Sequence, residues 1–357
     1  MTLPHLTQAQ APLTSEIEAV NEYGEHHKVS IPAERALTVY VDKRELVTLM
    51  TLGANPELLV LGYLRNQRLV KTVHDIESIT VDWEVGAAAV KTRHGIENIE
   101  EKTAHRVVTT GCGQGSVFGG LMDEVDQITL PADAAITQSQ LYSLVNTIRL
   151  KETTYKSAGS VHACALFDTA SAEPEMLLFV EDVGRHNAID TIAGWMWMNM
   201  APTLVASRAF GGALPLAQEE GAELRLGRPG ASFVAPALAP DLLSLPLGEG
   251  GGMGSPACAQ QPVHVPPMPQ GLVFYTTGRL TSEMVIKSAQ MGVPIVVSRS
   301  GITQMGHQVA QSVGLCAIGR ATNKRFLCYT QARRLKIEPG LLLKPDTPTD
   351  PRRAQNA

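Results

Sequence analysis

The sequence lacks features that would place it in several common classes of protein. Its five cysteines are odd in number and include no C-x-x-C pair, so neither a disulfide framework nor a zinc ribbon is indicated. No apolar run approaches the roughly 18 to 20 residues of a membrane span. The first residues, MTLPHLTQAQAPLTSEIEAV, lack the basic-then-apolar order of a secretory signal. A formal charge of -5 argues against extensive nucleic-acid binding. We therefore expect a cytoplasmic protein that binds neither membranes nor nucleic acids.

The sequence does contain enough apolar residues for a sizeable core. With 357 residues, 44% of them hydrophobic, the chain can build two or three compact units. The polar, aperiodic residues 1–30 predict a flexible N-terminal arm. Residues 211–270 are rich in Gly, Pro and Ala and predict a disordered insertion, because they cannot bury enough apolar surface to offset the entropy of ordering. Cys258 and His264, which lie in this insertion, are therefore poor candidates for a site.

Two folded parts are predicted outside these segments. Residues 31–110 predict a small α+β subdomain, with strands at 36–41, 45–50, 76–81 and 87–92 and a helix that starts at Asn55-Pro56. A glycine-rich loop that carries Cys112 is predicted at residues 111–135, and we expect it to be accessible. Residues 136–335, apart from the insertion, predict a larger α/β domain, with helices at 139–149, 282–291 and 303–313 and strands at 161–167, 176–180, 272–275, 295–298 and near 315 and 326. Residues 336–357 are expected to form a C-terminal tail.

The most informative stretch is LLFVEDVGRHNAIDTIAGWMWM, residues 177–198. It begins as a buried strand would, and later apolar residues have the spacing of a helix (Ile189, Ile192, Ala193 and Met196). The charged and polar turn from Glu181 to Asn187 lies between them, and Asn187 is placed to cap the helix. Such a turn suits an anionic ligand, because the N–H groups of a helix start point outward. An ordinary helix cap with a solvated charge cluster is the alternative.

Basic residues follow the predicted strands of the last part of the chain. They lie in the loops Gly278-Arg279, Arg299-Ser300-Gly301 and Arg320 to Arg325. Alternating strands and helices predict parallel β-α-β units, whose strands end at one edge of a sheet, where ligands bind. The three loops should therefore gather there and suit a phosphorylated or nucleotide ligand. Solvated surface charges are the alternative.

Three blocks of sequence resemble one known family. They are EDVGRHNAID at 181–190, TTGRLTSEMVIKSAQMGVPIVVSRSGIT at 276–303 and TTGCGQG at 109–115. They resemble the FdhD family of formate dehydrogenase accessory sulfurtransferases, and the similarity covers most of residues 35–208 and 271–335. The resemblance implies an α/β fold, in which a cytidine-deaminase-like three-layer domain carries a smaller N-terminal α+β subdomain. It also implies a homodimer.

The resemblance further implies a function. In the family a loop cysteine accepts persulfide sulfur from a cysteine desulfurase and passes it to the molybdenum cofactor, in its bis(molybdopterin guanine dinucleotide) form, for formate dehydrogenase. Cys112 matches that cysteine, and a thiolate is the species that attacks a persulfide sulfur. The residues that match the family's guanine-nucleotide loop are Arg320, Ala321, Thr322, Asn323, Lys324 and Arg325. Further candidates for contacts with the anionic cofactor are Arg279, Arg185, His186 and Asn187.

The chain departs from the family in its loops. Gly115 stands where the family usually has a second cysteine, so sulfur transfer would use a single persulfide at Cys112. Arg320 stands where the family tends to have an aromatic residue, and Thr322 where it tends to have a basic one. The zinc signature of deaminases, H-x-E with a later P-C-x-x-C, is absent, so we expect neither zinc nor deaminase activity.

Three further cysteines lie outside the loop and the insertion. Cys164, Cys316 and Cys328 fall in predicted strands and are expected to be small core residues.

Two other functions remain open. The missing second loop cysteine leaves open a non-catalytic chaperone that binds the same cofactor and a formate dehydrogenase-like client. The β-α-β pattern leaves open a nucleotide-dependent oxidoreductase, but no G-x-G-x-x-G opens a helix after a strand.

Overall fold

The structure is a computed structural model that describes residues 2–96, 99, 107–108, 115–116, 128–151, 153–200 and 271–341, all within one compact unit. Its helices are α1 Pro56–Asn66, α2 Gln138–Lys151, α3 Thr154–Ala158, α4 Arg185–Met200, α5 Ser282–Gln290 and α6 Gln304–Ser312. The strands of the first half are β1 His5–Leu6, β2 Thr14–Val20, β3 His26–Pro32, β4 Arg35–Val41, β5 Arg44–Thr51, β6 Ile76–Asp82, β7 Ala87–Thr92, β8 Val107–Val108 and β9 Gly115–Ser116. Those of the second half are β10 Ile136–Thr137, β11 His162–Asp168, β12 Glu175–Asp182, β13 Leu272–Thr276, β14 Ile295–Ser298, β15 Cys316–Thr322, β16 Arg325–Cys328 and β17 Leu335–Lys336.

The first sheet has five strands in the order β1-β6-β7-β4-β5. β4 and β5 form an antiparallel hairpin around Asp42 and Lys43, which both have positive φ, as tight hairpin turns require. Alternate residues of β4 (Leu37, Val39 and Val41) are buried and pack with apolar residues of α1. α1 begins with Pro56, whose fixed φ suits the first turn of a helix. The strands and the helix predicted for this part of the chain are confirmed.

The first 30 residues differ from the expectation of an aperiodic arm. β1 pairs with β6 in parallel, and β2 and β3 form an antiparallel hairpin. The hydroxyl of Thr7 and the N–H of Ala9 both donate to Oε1 of Glu57, each at 2.7 Å, which ties this segment to α1. The expectation of no regular structure was therefore wrong. It failed because β1 has only two residues and β2 is exposed along most of its length, so neither shows an apolar alternation.

The second sheet has six strands in the order β12-β11-β13-β14-β15-β16. β13, β14 and β15 are parallel and are joined by α5 and α6, whereas β11, β12 and β16 run antiparallel to their neighbours. One apolar cluster packs α2 on one face of this sheet, and another packs α4, α5 and α6 on the opposite face. The result is a mixed α/β protein with a three-layered larger part. The predicted β-α-β alternation is confirmed.

Packing of α1 against α4 joins the two sheets. Gly62 of α1 and Gly194 of α4 lie at this crossing, where the two backbones approach each other closely. Nη1 of Arg65 donates to the carbonyl of Ala193 at 3.0 Å, and its guanidinium stacks over the ring of Trp197 at 5.4 Å. The segment of residues 177–198 therefore provides most of β12, the edge strand of the second sheet, and most of α4, the helix that packs against α1 of the first sheet.

Two predicted segments fall largely outside the described residues. The insertion at 211–270 lies outside them entirely, and so does the tail after residue 341. The first residues of the predicted tail are ordered, since Lys336 belongs to β17, which pairs in parallel with β10. The exact domain limits given above stay a prediction. Among the described helices, none is long and apolar enough to cross a membrane.

Candidate functional site

Three basic loops meet at the carboxyl edge of the second sheet, as predicted. β13, β14 and β15 are parallel, so their carboxyl ends lie side by side. The N–H of Arg299 donates to the carbonyl of Thr276 at 3.0 Å, and the N–H of Arg320 donates to the carbonyl of Ser300 at 2.6 Å. These bonds link the loops that follow the three strands. Ser298 Oγ also donates to the carbonyl of Gly278 at 2.7 Å, which holds the first two loops together.

Four cationic or imidazole side chains surround this edge, and we call them the strand-end basic cluster: His162, Arg185, Arg279 and Arg299. His162 begins β11, and the next residue, Ala163, exchanges hydrogen bonds with Thr277 just after β13. Arg185 begins α4, directly after β12. The side chains of Arg279 and Arg299 are exposed. The cluster therefore brings together side chains from four separate parts of the fold, and its positive charge comes from the three arginines.

Arg185 is the buried member of the cluster. Only 5% of its surface is exposed, and it packs on Gly278, where an added Cβ would lie 2.9 Å from Arg185 Cδ. Its Nε has no hydrogen-bond partner among the described residues. A buried donor without a partner costs free energy, and a bound ion, a water molecule or a role in a reaction can account for such a group in a native structure. Arg185 is therefore the described residue best suited to receive an anion.

The two histidines at this edge both have lowered pKa values. Burial lowers the pKa of His162, and the charges of Arg185 and Arg279 lower it further. Burial lowers the pKa of His186 to about 2, with contributions from Lys287 and Arg185. Nδ1 of His186 lies 3.4 Å from Glu283 Oε1, which is short enough for an ion pair, but the depressed pKa makes this a contact of a neutral imidazole with a carboxylate. His186 thus adds no positive charge to the site.

A buried ion pair between Lys287 and Asp190 lies beneath the turn that carries Arg185. Lys287 Nζ lies 2.9 Å from Asp190 Oδ2 and 3.5 Å from Glu283 Oε1, and both Lys287 and Asp190 are fully buried. Asn66 of α1 donates to the other oxygen of Asp190 at 2.7 Å. Burial opposes the charge on Lys287, but Asp190 and Glu283 outweigh it and keep the pKa of Lys287 above its usual value. This network connects α1, α4 and α5 beneath the turn.

Asp182, a carboxylate of the turn, fixes the conformation of the turn through several hydrogen bonds. Asp182 accepts hydrogen bonds from Thr51 Oγ1 at 2.5 Å, the N–H of Leu52 at 3.1 Å and the N–H of Gly184 at 2.9 Å. Asn187 Nδ2 donates to Asp182 at 2.8 Å and to the carbonyl of Met50 at 2.6 Å. The prediction that Asn187 caps the helix was wrong, because α4 begins at Arg185 and Asn187 lies in its first turn. The amide nitrogen of Asn187 serves to fasten this turn to the end of β5.

Glu181 has a similar structural task at the other side of the turn. It accepts hydrogen bonds from the N–H groups of Thr154 at 2.7 Å and Tyr155 at 3.1 Å, at the start of α3. The favourable placement of a carboxylate at a helix start explains the pairing. Among the polar residues described in the turn, Arg185 Nε and His186 Nδ1 are the buried side-chain atoms that have no hydrogen-bond partner.

The loop of residues 320–325 lines a cavity of about 610 Å³. Asn323 has positive φ in the tight turn between β15 and β16, and Arg320 has positive φ within β15, where the register with β16 shifts. The cavity is lined by Gln138, Tyr142, Arg320, Thr322, Lys324, Arg325, Phe326, Leu327 and Leu341. Four of the six predicted nucleotide contacts therefore share one cavity. Ala321 is 2% exposed and packs in the core, but it also lines a second cavity, so its contact with a ligand stays a prediction.

Asn323, the sixth residue, lines a neighbouring cavity of about 310 Å³ together with Arg299, Lys156 and Arg149. This second cavity lies between the strand-end basic cluster and the loop. Two aromatic side chains, Tyr142 and Phe326, also face the first cavity, with ring centroids 6.2 Å apart. Tyr142 was not among the contacts predicted from the sequence. Its signal was a polar aromatic residue on the predicted helix beside the apolar face.

The cysteines separate into two groups. Cys112 lies outside the described residues, and only the short antiparallel strands β8 and β9 on either side of it are described. Cys164 is fully buried, donates to Thr276 Oγ1 at 3.3 Å and has its pKa raised to about 12 by burial. The prediction of a core residue is confirmed for Cys164 and Cys316, whereas Cys328 is half-buried. No group of three or more potential metal ligands occurs among the described residues.

Comparison with known proteins identifies the class to which this fold and site belong. The family model of the FdhD/NarQ family matches residues 32–209 and 267–336. The chain belongs to the FdhD/NarQ family. The match leaves out the first 31 residues and most of the predicted insertion, which agrees with the extent of the resemblance seen in the sequence.

Individual relatives agree with this assignment. The chain is 26% identical over 318 residues to the sulfur carrier protein FdhD of Bacillus subtilis, which covers 88% of this chain and 94% of the relative. It is 21% identical over 313 residues to the sulfur carrier protein FdhD of Wolinella succinogenes, over 88% of this chain and 84% of the relative. A crystal structure of a putative formate dehydrogenase accessory protein from Desulfotalea psychrophila has the same fold, with a TM-score of 0.59 and 18% identity over 91% of this chain and all of that one.

Proposed function

We propose that this protein is a sulfur carrier that loads sulfur on Cys112 and delivers it to the molybdenum cofactor for formate dehydrogenase. The Cys112 thiolate attacks the terminal sulfur of a cysteine desulfurase persulfide. A new S–S bond forms on Cys112, the old S–S bond breaks, and the desulfurase cysteine leaves as a thiolate. In the second step the cofactor, as the acceptor, supplies the electron pair of the new bond to the terminal sulfur, while the S–S bond breaks and its electron pair stays on Cys112 as a thiolate.

Membership of the family supports this function, since the curated relatives are named sulfur carriers. The observation that carries the proposal in the structure is the partnerless Nε of buried Arg185, within the strand-end basic cluster of the described residues. The bis(molybdopterin guanine dinucleotide) cofactor is a polyanion, and a planar guanidinium binds phosphate oxygens in pairs. The cofactor is here a substrate, held while its sulfur is delivered.

In this proposal, different described residues bind different parts of the cofactor. Arg185, Arg279 and Arg299 receive phosphate groups at the sheet edge, and Lys324 and Arg325 receive those that enter the loop cavity. Tyr142 and Phe326 provide an apolar wall in the same cavity, where a guanine base can stack. His186, whose pKa is lowered by burial, contacts Glu283 and adds no positive charge to the binding surface. Asn187 holds the turn rather than the ligand.

The proposal includes three further features that the family resemblance implies. The protein acts as a homodimer, works in the cytoplasm and meets a cysteine desulfurase and formate dehydrogenase in turn. The layered packing of α2 and of α4 to α6 on opposite faces of a mixed sheet supports the cytidine-deaminase-like description.

Mass spectrometry after incubation with a cysteine desulfurase and cysteine tests the transfer. We expect a mass increase of one sulfur atom on the peptide that contains Cys112, lost on treatment with dithiothreitol. Cys112→Ala should abolish the adduct and the support of formate dehydrogenase activity, and Cys164→Ala, which removes a buried thiol, should leave the adduct in place. An unmodified Cys112 peptide in the wild-type protein would contradict the proposal.

Gly115 favours a second candidate function, a cofactor-binding chaperone that transfers no sulfur. It stands at the position of the second loop cysteine, so no intramolecular disulfide can release sulfur within the loop. The two functions separate in one measurement. If Cys112→Ala binds the cofactor and activates formate dehydrogenase as well as the wild-type protein does, the chaperone is correct.

A further inference from the structure

Two thiols face each other at the edge of the second sheet, far along the chain from Cys112. Cys316 begins β15 and Cys328 ends β16, and their Sγ atoms are 3.9 Å apart. β15 and β16 are antiparallel, with Cys328 opposite Ile318, so Cys316 and Cys328 are diagonal neighbours on one face of the sheet. The two side chains therefore point toward each other rather than into separate parts of the core.

The two thiols differ in access. Cys316 is fully buried, whereas Cys328 is half-buried and lies on β16, the last strand of the described sheet. β16 has four residues, and its register with β15 shifts between Gly319 and Thr322. Bonding brings the sulfur atoms from 3.9 Å to about 2.05 Å and also requires the backbones of these diagonal neighbours to approach, and a short, irregular edge strand can make this movement. A reagent would reach Cys328 first and Cys316 only afterwards.

Hydrogen bonding between the thiols makes them chemically unequal. The hydrogen bond between the two sulfur atoms lowers the pKa of the Cys328 thiol, although burial opposes this effect. The same hydrogen bond, together with burial, raises the pKa of the Cys316 thiol. The accessible sulfur is therefore the one that more readily becomes a thiolate, which is the nucleophilic form.

We propose that Cys316 and Cys328 form a reversible disulfide, a modification site that restrains the loop of residues 320–325. The oxidant is a low-molecular-weight disulfide of the glutathione type. The Cys328 thiolate attacks one sulfur of this reagent, a mixed disulfide forms, and one reagent thiolate leaves. The Cys316 thiol then loses its proton and attacks the Cys328 sulfur, which forms the internal disulfide and releases the second reagent thiolate. Two protein thiols supply the two electrons and two protons that the reagent takes up.

The disulfide affects the loop of residues 320–325 because the two cysteines lie on either side of it. Cys316 and Cys328 are 12 positions apart in sequence, and the segment between them contains the whole loop from Arg320 to Arg325. A disulfide at the base of the hairpin closes this segment into a ring and reduces the freedom of the edge strand. Arg320, Lys324 and Arg325 line the cavity of about 610 Å³. Formation of the disulfide therefore reduces the mobility of residues that line this cavity. This inference does not depend on the sulfur-carrier function.

Peptide mapping of the full-length wild-type protein tests the bond. The protein is incubated under native conditions with oxidised glutathione, free thiols are alkylated, and the unreduced protein is digested with trypsin. Cys316 and Cys328 fall in separate tryptic peptides, residues 300–320 and 326–333. We expect one linked species that weighs two hydrogen atoms less than the two peptides together and that separates on treatment with dithiothreitol.

A matched control moves the thiol by one residue. Leu327 faces away from Cys316 on the same strand and is exposed, so the double variant Cys328→Ser with Leu327→Cys keeps an accessible thiol on β16. This variant should give no link to Cys316. A link of equal yield there, or a wild-type protein in which Cys316 and Cys328 are both alkylated, overturns the proposal.

Hydrogen exchange tests the effect on the loop. Amide exchange over residues 320–328 should slow several-fold in the oxidised protein and return to the original rate after reduction. Cys328→Ser should show the same exchange with and without oxidised glutathione. A linked protein whose loop exchanges at the rate of the reduced protein would refute the restraint on the loop.

Discussion

Gly62 of α1 and Gly194 of α4 allow the backbones of these two helices to touch. A Cβ at Gly62 would lie 1.6 Å from the carbonyl oxygen of Asp190, and a Cβ at Gly194 would lie 2.0 Å from that of Leu58. Side chains at either position would have to separate the helices. The contact matters for function because Asp190, beside Gly62, holds Lys287 beneath the basic turn.

We predict that Gly194→Ala destabilises the protein by about 1–3 kcal/mol or more, because an added methyl group in a closely packed contact forces the backbone to shift. Urea unfolding followed by circular dichroism measures the loss. Gly340→Ala is the matched control, since no atom of the described residues lies within 4 Å of a Cβ added there. Equal stabilities of the two variants would show that the helices separate at no cost.

The buried ion pair gives a second prediction. Lys287→Met should lower the free energy of unfolding by about 3–5 kcal/mol, because it leaves the carboxylate of Asp190 buried without its partner. The double variant Lys287→Met with Asp190→Asn removes both charges and should recover part of this loss. Urea unfolding at neutral pH compares the three proteins. If the double variant is no more stable than Lys287→Met, the loss comes from packing rather than from charge.

The neutral state of His186 predicts a pH dependence of stability. The pKa of His186 is about 2 in the folded protein, against an ordinary histidine value of 6.5, so the unfolded chain binds one more proton over the interval between them. The stability contributed by this group is therefore complete above about pH 6.5 and falls by about 1.4 kcal/mol per pH unit as the pH decreases below that.

Unfolding free energies at about pH 7.5, 6.0 and 5.0, which span the onset of this titration, measure the dependence. His186→Gln should have a flatter profile than the wild-type protein, and His94→Gln, which replaces an exposed histidine, should match the wild type. A profile of His186→Gln as steep as that of the wild type would mean that His186 is protonated in the fold. His162 has its pKa lowered in the same direction and contributes to the same interval.

Arg185 gives a prediction about binding. Arg185→Met should weaken the affinity for guanosine diphosphate about tenfold or more, because a hydrogen bond to a charged group contributes about 1.5–3 kcal/mol. It should leave the stability equal or raise it, since the buried Nε has no partner among the described residues. Isothermal titration calorimetry measures the affinity. Lys91→Met, which removes one positive charge from the first sheet, controls for overall charge. Unchanged affinity in Arg185→Met would remove Arg185 from the ligand site.

The sequence predicted well those elements that local pattern determines. The helix that opens at Pro56 and the β-α-β units after Leu272 were confirmed within a few residues, because apolar periodicity and terminal residues act locally. The short or exposed strands β1, β2 and β3 were missed, since pairing with other strands rather than apolar alternation defines them. The start of α4 was misplaced because its first turn is held by Asp182 through contacts with Thr51 and Leu52, more than a hundred residues away in the chain.

The sequence by itself determined the family, the order of strands and helices in the larger part, and the basic loops that share one sheet edge. Only the tertiary structure decided which of these residues remain open to a ligand. The side chains of Asn187 and Asp182 make hydrogen bonds within the fold, whereas Arg185 is buried with no partner for its Nε among the described residues. Burial and hydrogen bonding depend on residues brought together from distant parts of the chain, so no local pattern records them. The approach of Cys316 to Cys328 has the same origin, because the pairing of β15 with β16 places the two thiols side by side.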